Sequence, residues 1–348
     1  MIDALPEPTG AFGSLKRRLA SLRRDWAYHV SSARGSLLAF VLYLAMFTVF
    51  ATAQPAGFNR NVLNTAANKG ALLALVAMAQ TIPVLTSGLD LSVGMVFVLT
   101  NCLASTLVAG DAFHTALGVA AVLGTGLACG ALNGALVVLG RLQPIIATLA
   151  TSSIYFGGAL WLRPAPGGGV NEDFAEFMTG SLPGGVPVSA VLLLLLVAFG
   201  WLPYRRSVIG RAAYAVGSSG QAAFMSGVPV ARAKFLTYVL AGGFSALAGL
   251  LLTCLTESGE ANAMLGGSYT LSSIAAVVVG GTSLFGGAGG AVGSIFGAFV
   301  LRTIGDLLFV FNLDPLWQPL FLGVVLLLAV GLGSLRLLRV KNRLDLFR

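Results

Sequence analysis

The sequence predicts an all-α membrane protein of about ten transmembrane helices, built on an inverted repeat, with both termini cytoplasmic. Three observations predict it. Hydrophobic residues make up 56% of the 348 and charged residues only 10%, where a soluble domain carries about 25% charged residues. Apolar runs of bilayer-crossing length recur along the chain. Basic residues gather in the short segments between alternate runs. With a mean hydropathy of +0.87, the chain has more apolar surface than a soluble fold of this length can bury.

A crossing helix needs about 20 apolar residues. On that measure the spans fall near 36–53, 70–87, 91–109, 115–139, 144–162, 188–203, 235–256, 269–283, 290–311 and 317–335. The eighth is short and Gly-rich, the pattern of a broken or re-entrant helix. The chain divides into a basic cytoplasmic segment (1–35), a transmembrane domain (36–335) and a basic cytoplasmic tail (336–348). The one long outer loop is 163–187, and the one long inner loop is 204–234. The first 35 residues lack the short apolar core and cleavage site of a signal peptide.

Charge tests this count. With the N-terminus inside, seventeen of the 21 Lys and Arg residues fall in inner segments. Three fall outside (Arg60, Lys69 and Arg163), and Arg302 lies within span nine. That asymmetry satisfies the positive-inside rule and calls for an even number of spans. The net charge of +8 is therefore a topology signal, and no nucleic-acid signature accompanies it. Trp161 and Trp317 fall at predicted outer ends, and Trp201 with Tyr204 at an inner end, where such rings favour the interface.

Inside the spans, small residues recur every fourth position: Gly126, Gly130 and Gly134, then Gly289, Gly293 and Gly297. This spacing lets helix backbones approach closely. Gly88-Leu-Asp-Leu-Ser92 and Ser268-Tyr-Thr-Leu-Ser272 look weakly alike and are expected to open spans three and eight on opposite sides. An inverted repeat would give that arrangement.

Ionisable residues in the bilayer are costly, and few occur. Arg302 and Asp306, four apart, are placed to pair along one helix face. Asp90 stands at a helix start, where it is a local cap or a hinge element. Gln80, Asn101, Asn133, Thr151, Ser152 and Tyr155 are candidates for a translocation path, since amides and hydroxyls can bind a polyol. They equally well serve as interhelical hydrogen bonds. Cys102, Cys129 and Cys254 sit in apolar runs with no metal or disulfide spacing. No metal site is expected.

The inner loop carries Gln221-Ala222-Ala223 followed by Gly227. It resembles the Glu-Ala-Ala-x-x-x-Gly loop of ATP-binding-cassette permeases, with Gln221 where that loop has Glu. An Ala pair and a Gly stop suit a short helix. Further stretches are similar to ribose-type sugar permeases: Gly88-Leu-Asp-Leu-Ser-Val-Gly94, Asn133-Gly134, Pro144-Ile-Ile-Ala-Thr-Leu149, Gly210-Arg211, and Ile274-Ala-Ala-Val-Val-Val-Gly-Gly-Thr-Ser-Leu-Phe-Gly-Gly287. They occur in the family's order over roughly residues 60–335. Two departures stand out: Thr270, Ser272 and Ser273 where the family often has acids, and a longer basic N-terminus.

The resemblance implies a monosaccharide importer's permease subunit in the bacterial inner membrane. It would work with a cytoplasmic ATPase that holds the ATP and Mg, an external solute-binding protein and a second permease copy, identical or related. The coupling loop would be Arg211, Gln221, Ala222, Ala223 and Gly227, with Gly280, Gly281, Gly286 and Gly287 as hinge glycines. The chain itself has no P-loop, HExxH or GxSxG motif, so it is read as a transport subunit and not an enzyme. The alternatives are a branched-chain amino-acid permease and an ion-coupled secondary transporter. The second requires intramembrane carboxylates, for which only Asp90 and Asp306 are available. An intramembrane enzyme lacks any nucleophile–base constellation.

Overall fold

A computed structural model describes residues 35–54, 57, 59–325, 327, 328 and 331. Among them the chain is helical, without strands. The basic N-terminal extension and the basic tail lie outside the described residues, as does part of the tenth predicted span. Among the described residues seven helices are long and apolar enough to cross a membrane. They are α1 (Gly35–Ala53), α2 (Arg60–Val84), α4 (Ala112–Val138), α5 (Pro144–Leu162), the compound helix Val188–Arg206, α11 (Val230–Thr256) and α13 (Ala291–Val310). Two shorter apolar helices complete the bundle, α3 (Val93–Leu107) and α12 (Ala263–Val279). Beyond a single turn at Pro315–Trp317, residue 318 opens a further helix, α14.

Helix α2 is the core element. It starts ten residues before the expected span because its polar first turns find partners. Asn59 caps it by accepting from the Val62 N–H (2.9 Å). Asn64 and Asn68 donate to the Thr179 carbonyl at 3.0 and 2.7 Å. From Gly70 to Val84 every residue is buried, packed among α11, α13, α12 and α3.

The glycine stripes close the bundle. A Cβ at Gly126 would strike Gly242 O, and one at Gly134 would strike Phe235 O at 2.9 Å; Gly130 abuts Tyr238 O. All three face α11. Gly293 and Gly297 abut Gly280 O and Ala276 O, so α13 lies equally close against α12. Small residues here allow backbone-to-backbone packing that side chains would prevent.

The sixth predicted span is interrupted. It runs as α7 (Val188–Leu195), a π-helical segment (Leu196–Trp201) and α8 (Leu202–Arg206). Pro203 accounts for this. Its ring cannot donate to, and would crowd, the carbonyl four residues back at Phe199, and the wider π turn relieves the clash. Trp201, expected at an inner interface, is packed inside the chain. It is 2% exposed, tilted against Tyr204 with ring centroids 5.7 Å apart. Trp161 and Trp317 are exposed.

Two further expectations change. The Ser268–Ser272 stretch does not open a helix, because α12 already starts at Ala263 with Asn262 as its cap. Nor is this stretch remote from its look-alike: the Gly94 N–H donates to Thr270 Oγ1 at 3.1 Å. The eighth span is a continuous helix of 17 residues, short because Gly280 and Gly281 end it. The Gly281 N–H bonds to Val278 O and the Thr282 N–H to Val277 O, a Schellman stop that uses the positive φ of Gly281.

Loops sort to two ends of the bundle. At one end Asn171 N–H donates to Val108 O (2.7 Å), and Gly167 and Gly259 exchange backbone hydrogen bonds at 3.0 and 2.8 Å. The α6 helix (Glu172–Thr179) lies at this end, within the predicted long outer loop. At the other end Ser87 Oγ donates to Phe285 O at 2.6 Å, and Gly287 N–H to Leu85 O at 3.0 Å.

Candidate functional site

The site has two parts, a compact helical face at one end of the bundle and a set of polar side chains within it. The face is built from α9 (Val208–Ser218) and α10 (Gly220–Met225). Ser207 starts α9 by accepting from the Gly210 N–H (3.0 Å), and Ser219 starts α10 by accepting from the Ala222 N–H (3.3 Å). Helix α10 stops where the sequence says it should. The Val228 N–H bonds to Ala223 O and the Gly227 N–H to Phe224 O, both at 3.0 Å, with Gly227 at φ +76°. That is a Schellman cap, and it requires a residue at ease in the left-handed region.

Ala223 is the anchor of α10. It is buried against Ala212 and Val216 of α9 and Ala233 of α11. Phe224 and Met225 of α10 are 73% and 81% exposed. Arg211 and Gln221 are also exposed. Sequence reasoning found Gln221, Ala222, Ala223 and Gly227 but passed over Phe224 and Met225. Two apolar residues just past a helical Ala pair, in a loop flanked by Arg and Lys, were the available signal.

This face is joined to the α12–α13 turn. Tyr214 donates from its hydroxyl to Gly289 O at 2.7 Å. Burial raises the Tyr214 phenol above its usual range, with Arg205 nearby pulling the other way. The phenol therefore stays a donor through the physiological range. Gly286 and Gly287, both at positive φ, bring the turn against Ser87 and Ser218 where a Cβ would collide. These two glycines thus link the α9 end to the end of α2.

The polar residues within the bundle meet one another. Asp90 accepts from the Ser92 N–H (2.9 Å) and hydroxyl (2.6 Å). Asn133 donates to Ser92 Oγ at 2.7 Å and reaches the Asp90 carboxylate at 3.4 Å. Thr151 and Tyr155 donate to Asn133 Oδ1 at 2.7 and 2.9 Å. This network ties the non-helical stretch before α3 to α4 and α5, and the Thr148 hydroxyl supports it by accepting from the Leu91 N–H (3.0 Å). Irregular backbone inside a membrane bundle is tolerated only with partners of this kind. Ser152 donates back along its own helix to Leu149 O. Asn101 donates to Thr253 Oγ1 and accepts from the Glu260 N–H. Gln80 is fully buried, and its amide has no hydrogen-bond partner among the described residues.

Arg302 and Asp306 pair on α13 at 3.3 Å, as their spacing predicted. The three cysteines are free and buried. No group of three or more His, Cys, Asp or Glu side chains that would hold a metal occurs among the described residues.

The family described as branched-chain amino acid transport system / permease component matches residues 62–330. Similar proteins include the ribose import permease protein of Bacillus subtilis, 38% identical over 275 residues, which cover 78% of this chain and 83% of that one. The fructose import permease protein of Rhizobium meliloti is 33% identical, over 88% of this chain and 86% of its own. The D-allose transport system permease protein of Escherichia coli is 30% identical, over 85% and 90%. No solved structure gives a significant match. The family match spans well over half of the chain, and the relatives align along most of theirs. With its long apolar helices, the chain belongs to the branched-chain amino acid transport system / permease component family and is a multi-pass permease of the inner membrane.

Proposed function

We propose that this permease is the membrane path of an ATP-driven importer of a monosaccharide or related polyol. The observation that carries the reading is the α9–α10 face: a capped, anchored helix presenting Phe224 and Met225 outward. A contiguous exposed apolar patch rimmed by polar residues marks a contact site, and Phe224 and Met225 lie side by side between exposed Gln221 and Ser226. Here the contact is a cytoplasmic ATPase subunit, which binds the ATP and Mg. Arg211, Gln221 and Gly227 frame the same surface. The relatives named for ribose, fructose and allose import support a sugar as cargo. An external solute-binding protein would deliver it at the end that carries α6, and a second permease copy would complete the path.

The same reading takes the bundle as ten crossings, adding α3, α12 and α14 to the seven long helices, with both termini cytoplasmic. The α12–α13 turn would pass the movement of α9 to the helices, through Gly286, Gly287 and the Tyr214–Gly289 hydrogen bond. Gln80, Asn101, Asn133, Thr151, Ser152 and Tyr155 stay in the proposed path as groups able to exchange partners between inward and outward states.

Reconstitution of the permease with its ATPase and binding protein in proteoliposomes tests this. ATP-dependent uptake of ribose, fructose or allose is the expected result. Uptake of leucine instead would favour the amino-acid reading, which the family description keeps open. Replacing Gly227 by Val forces a β-branched residue into φ +76°, at a cost of about 1–2 kcal/mol. Uptake should fall while ATP hydrolysis becomes uncoupled from it. Tight coupling in Gly227→Val at the wild-type uptake rate would remove this loop from the coupling role.

A further inference from the structure

A cavity of about 630 Å³ opens between α12, α13 and the first turns of α14. Small-molecule sites run from about 300 to 1,000 Å³, so a single sugar ring fits with room for water. Its lining mixes apolar side chains (Leu73 of α2 with Leu265, Leu301 and Leu322) with polar ones (Ser268, Ser272, Arg302 and Gln318) on the same helices. Such a mixture suits a pyranose or furanose ring, which has apolar C–H faces and a rim of hydroxyls.

Arg302 is the informative member. It lies past the midpoint of α13, at a depth where a charged side chain is costly and is retained when it has work to do. A guanidinium carries five N–H donors. The only acceptor found for Arg302 among the described residues is Asp306 Oδ1, at 3.3 Å from one terminal nitrogen. The Nε donor is buried without a partner. Pairing with Asp306 leaves the guanidinium close to charge-neutral in sum, with the terminal N–H groups not used by Asp306 as the donors open to the cavity. A neutral polyol supplies oxygen acceptors for those donors without adding a charge that would need its own partner.

From these observations we infer that the α12–α13–α14 cavity is the station where the solute rests within the membrane, with Arg302 as the donor that orients a neutral monosaccharide. The inference rests on the sugar-permease reading and deepens it. Asp306 is the positioning residue. Its carboxylate holds one edge of the guanidinium and also lines a second, polar pocket beside Gln54, Asn59 and Lys69. The pair thus stands between an antechamber and the main cavity. Of the candidate path residues named from sequence, Asn101, Asn133, Thr151 and Tyr155 are committed to interhelical hydrogen bonds in this conformation, Ser152 bonds within its own helix, and Gln80 has no partner among the described residues. The cavity is open.

The test uses the complete importer in proteoliposomes, with labelled ribose, fructose and allose as probes. Three variants are compared. Arg302→Met keeps an unbranched apolar stem and removes the donors, Arg302→Lys restores a cation, and Gly323→Leu fills the cavity from a position where an added Cβ meets nothing within 4 Å. Arg302→Met is expected to raise the KM for uptake about tenfold, the loss of one hydrogen bond from a charged donor. Arg302→Lys should recover part of it. Gly323→Leu should lower uptake while elution volume and basal ATP hydrolysis match the wild type. Should Arg302→Met fail to assemble, Gly323→Leu alone decides. Sugar uptake by the wild type with an unchanged KM in the variants overturns the cavity and leaves the sugar reading standing, as does an acyl chain found occupying it. Uptake of none of the three sugars by the wild type overturns both.

Discussion

At the scale of single residues, Asn133 carries the most consequence for its size. One amide accepts from Thr151 and Tyr155 and donates to Ser92, which in turn bonds to Asp90. Four elements, namely α3 with the stretch before it, α4 and α5, depend on its two ends. Replacing it by Leu keeps the volume but removes the acceptor shared by the Thr151 hydroxyl and the Tyr155 phenol, which are left with Thr148 O and Cys129 O, and the donor to Ser92 and Asp90. Each hydrogen bond lost costs about 1 kcal/mol, so Asn133→Leu should lower the midpoint of thermal unfolding in detergent by several degrees. Asn133→Asp should not rescue it, because the new carboxylate would face Asp90 across the gap the amide now bridges at 3.4 Å. An unfolding midpoint equal to wild type in Asn133→Leu would show that the network contributes nothing to the fold. The sequence made these residues visible as polar groups in apolar helices. It left open whether each lines a path or ties helices, because both uses need the same atoms. Partnering is a fact of tertiary geometry, and it assigns Asn133, Thr151 and Tyr155 to ties in this conformation.

Elements were read from sequence with uneven success, for physical reasons. Periodic apolar length located every long helix. It missed the first residues of α11 and the first turns of α2, where polar residues are helical because a cap and neighbours satisfy them. Asn64 and Asn68 show this directly, since their partner Thr179 lies more than a hundred residues away in sequence. The stop of α10 was legible, because a left-handed residue after an Ala pair is a local requirement. Its outward apolar face was not, because exposure depends on which side Ala223 buries. That face sets the next expectation. Phe224→Glu puts a charge at the centre of the presumed ATPase contact without touching the Ala223 anchor or the Gly227 turn. The permease should express and fold normally, while the ATPase subunit co-purifies at a markedly reduced yield. Co-purification at the wild-type ratio would place the ATPase elsewhere.

Across the whole molecule, the informative property is that the loops sort to two ends. Loops assigned outward by the charge asymmetry bond to one another, as Asn171 does to Val108 and Gly167 to Gly259. Loops assigned inward do the same, as Ser87 does to Phe285 and Tyr214 to Gly289. Charge and contact are independent signals, and for these loops they agree. Charge supplies the direction that contact lacks. A membrane-impermeant maleimide reads this direction, and the three native cysteines are buried, so the background is low. Glu176→Cys on α6 and Gln221→Cys on α10 both place a thiol at an exposed position. In intact spheroplasts Glu176→Cys should be labelled and Gln221→Cys protected, and inside-out vesicles should reverse the pattern. Labelling of both from one side would require an odd number of crossings between α6 and α10 to be wrong, and with it the count of ten. Reversal of the two would keep the count and turn the molecule over. That would place the Phe224–Met225 face where no ATP-driven partner can reach it.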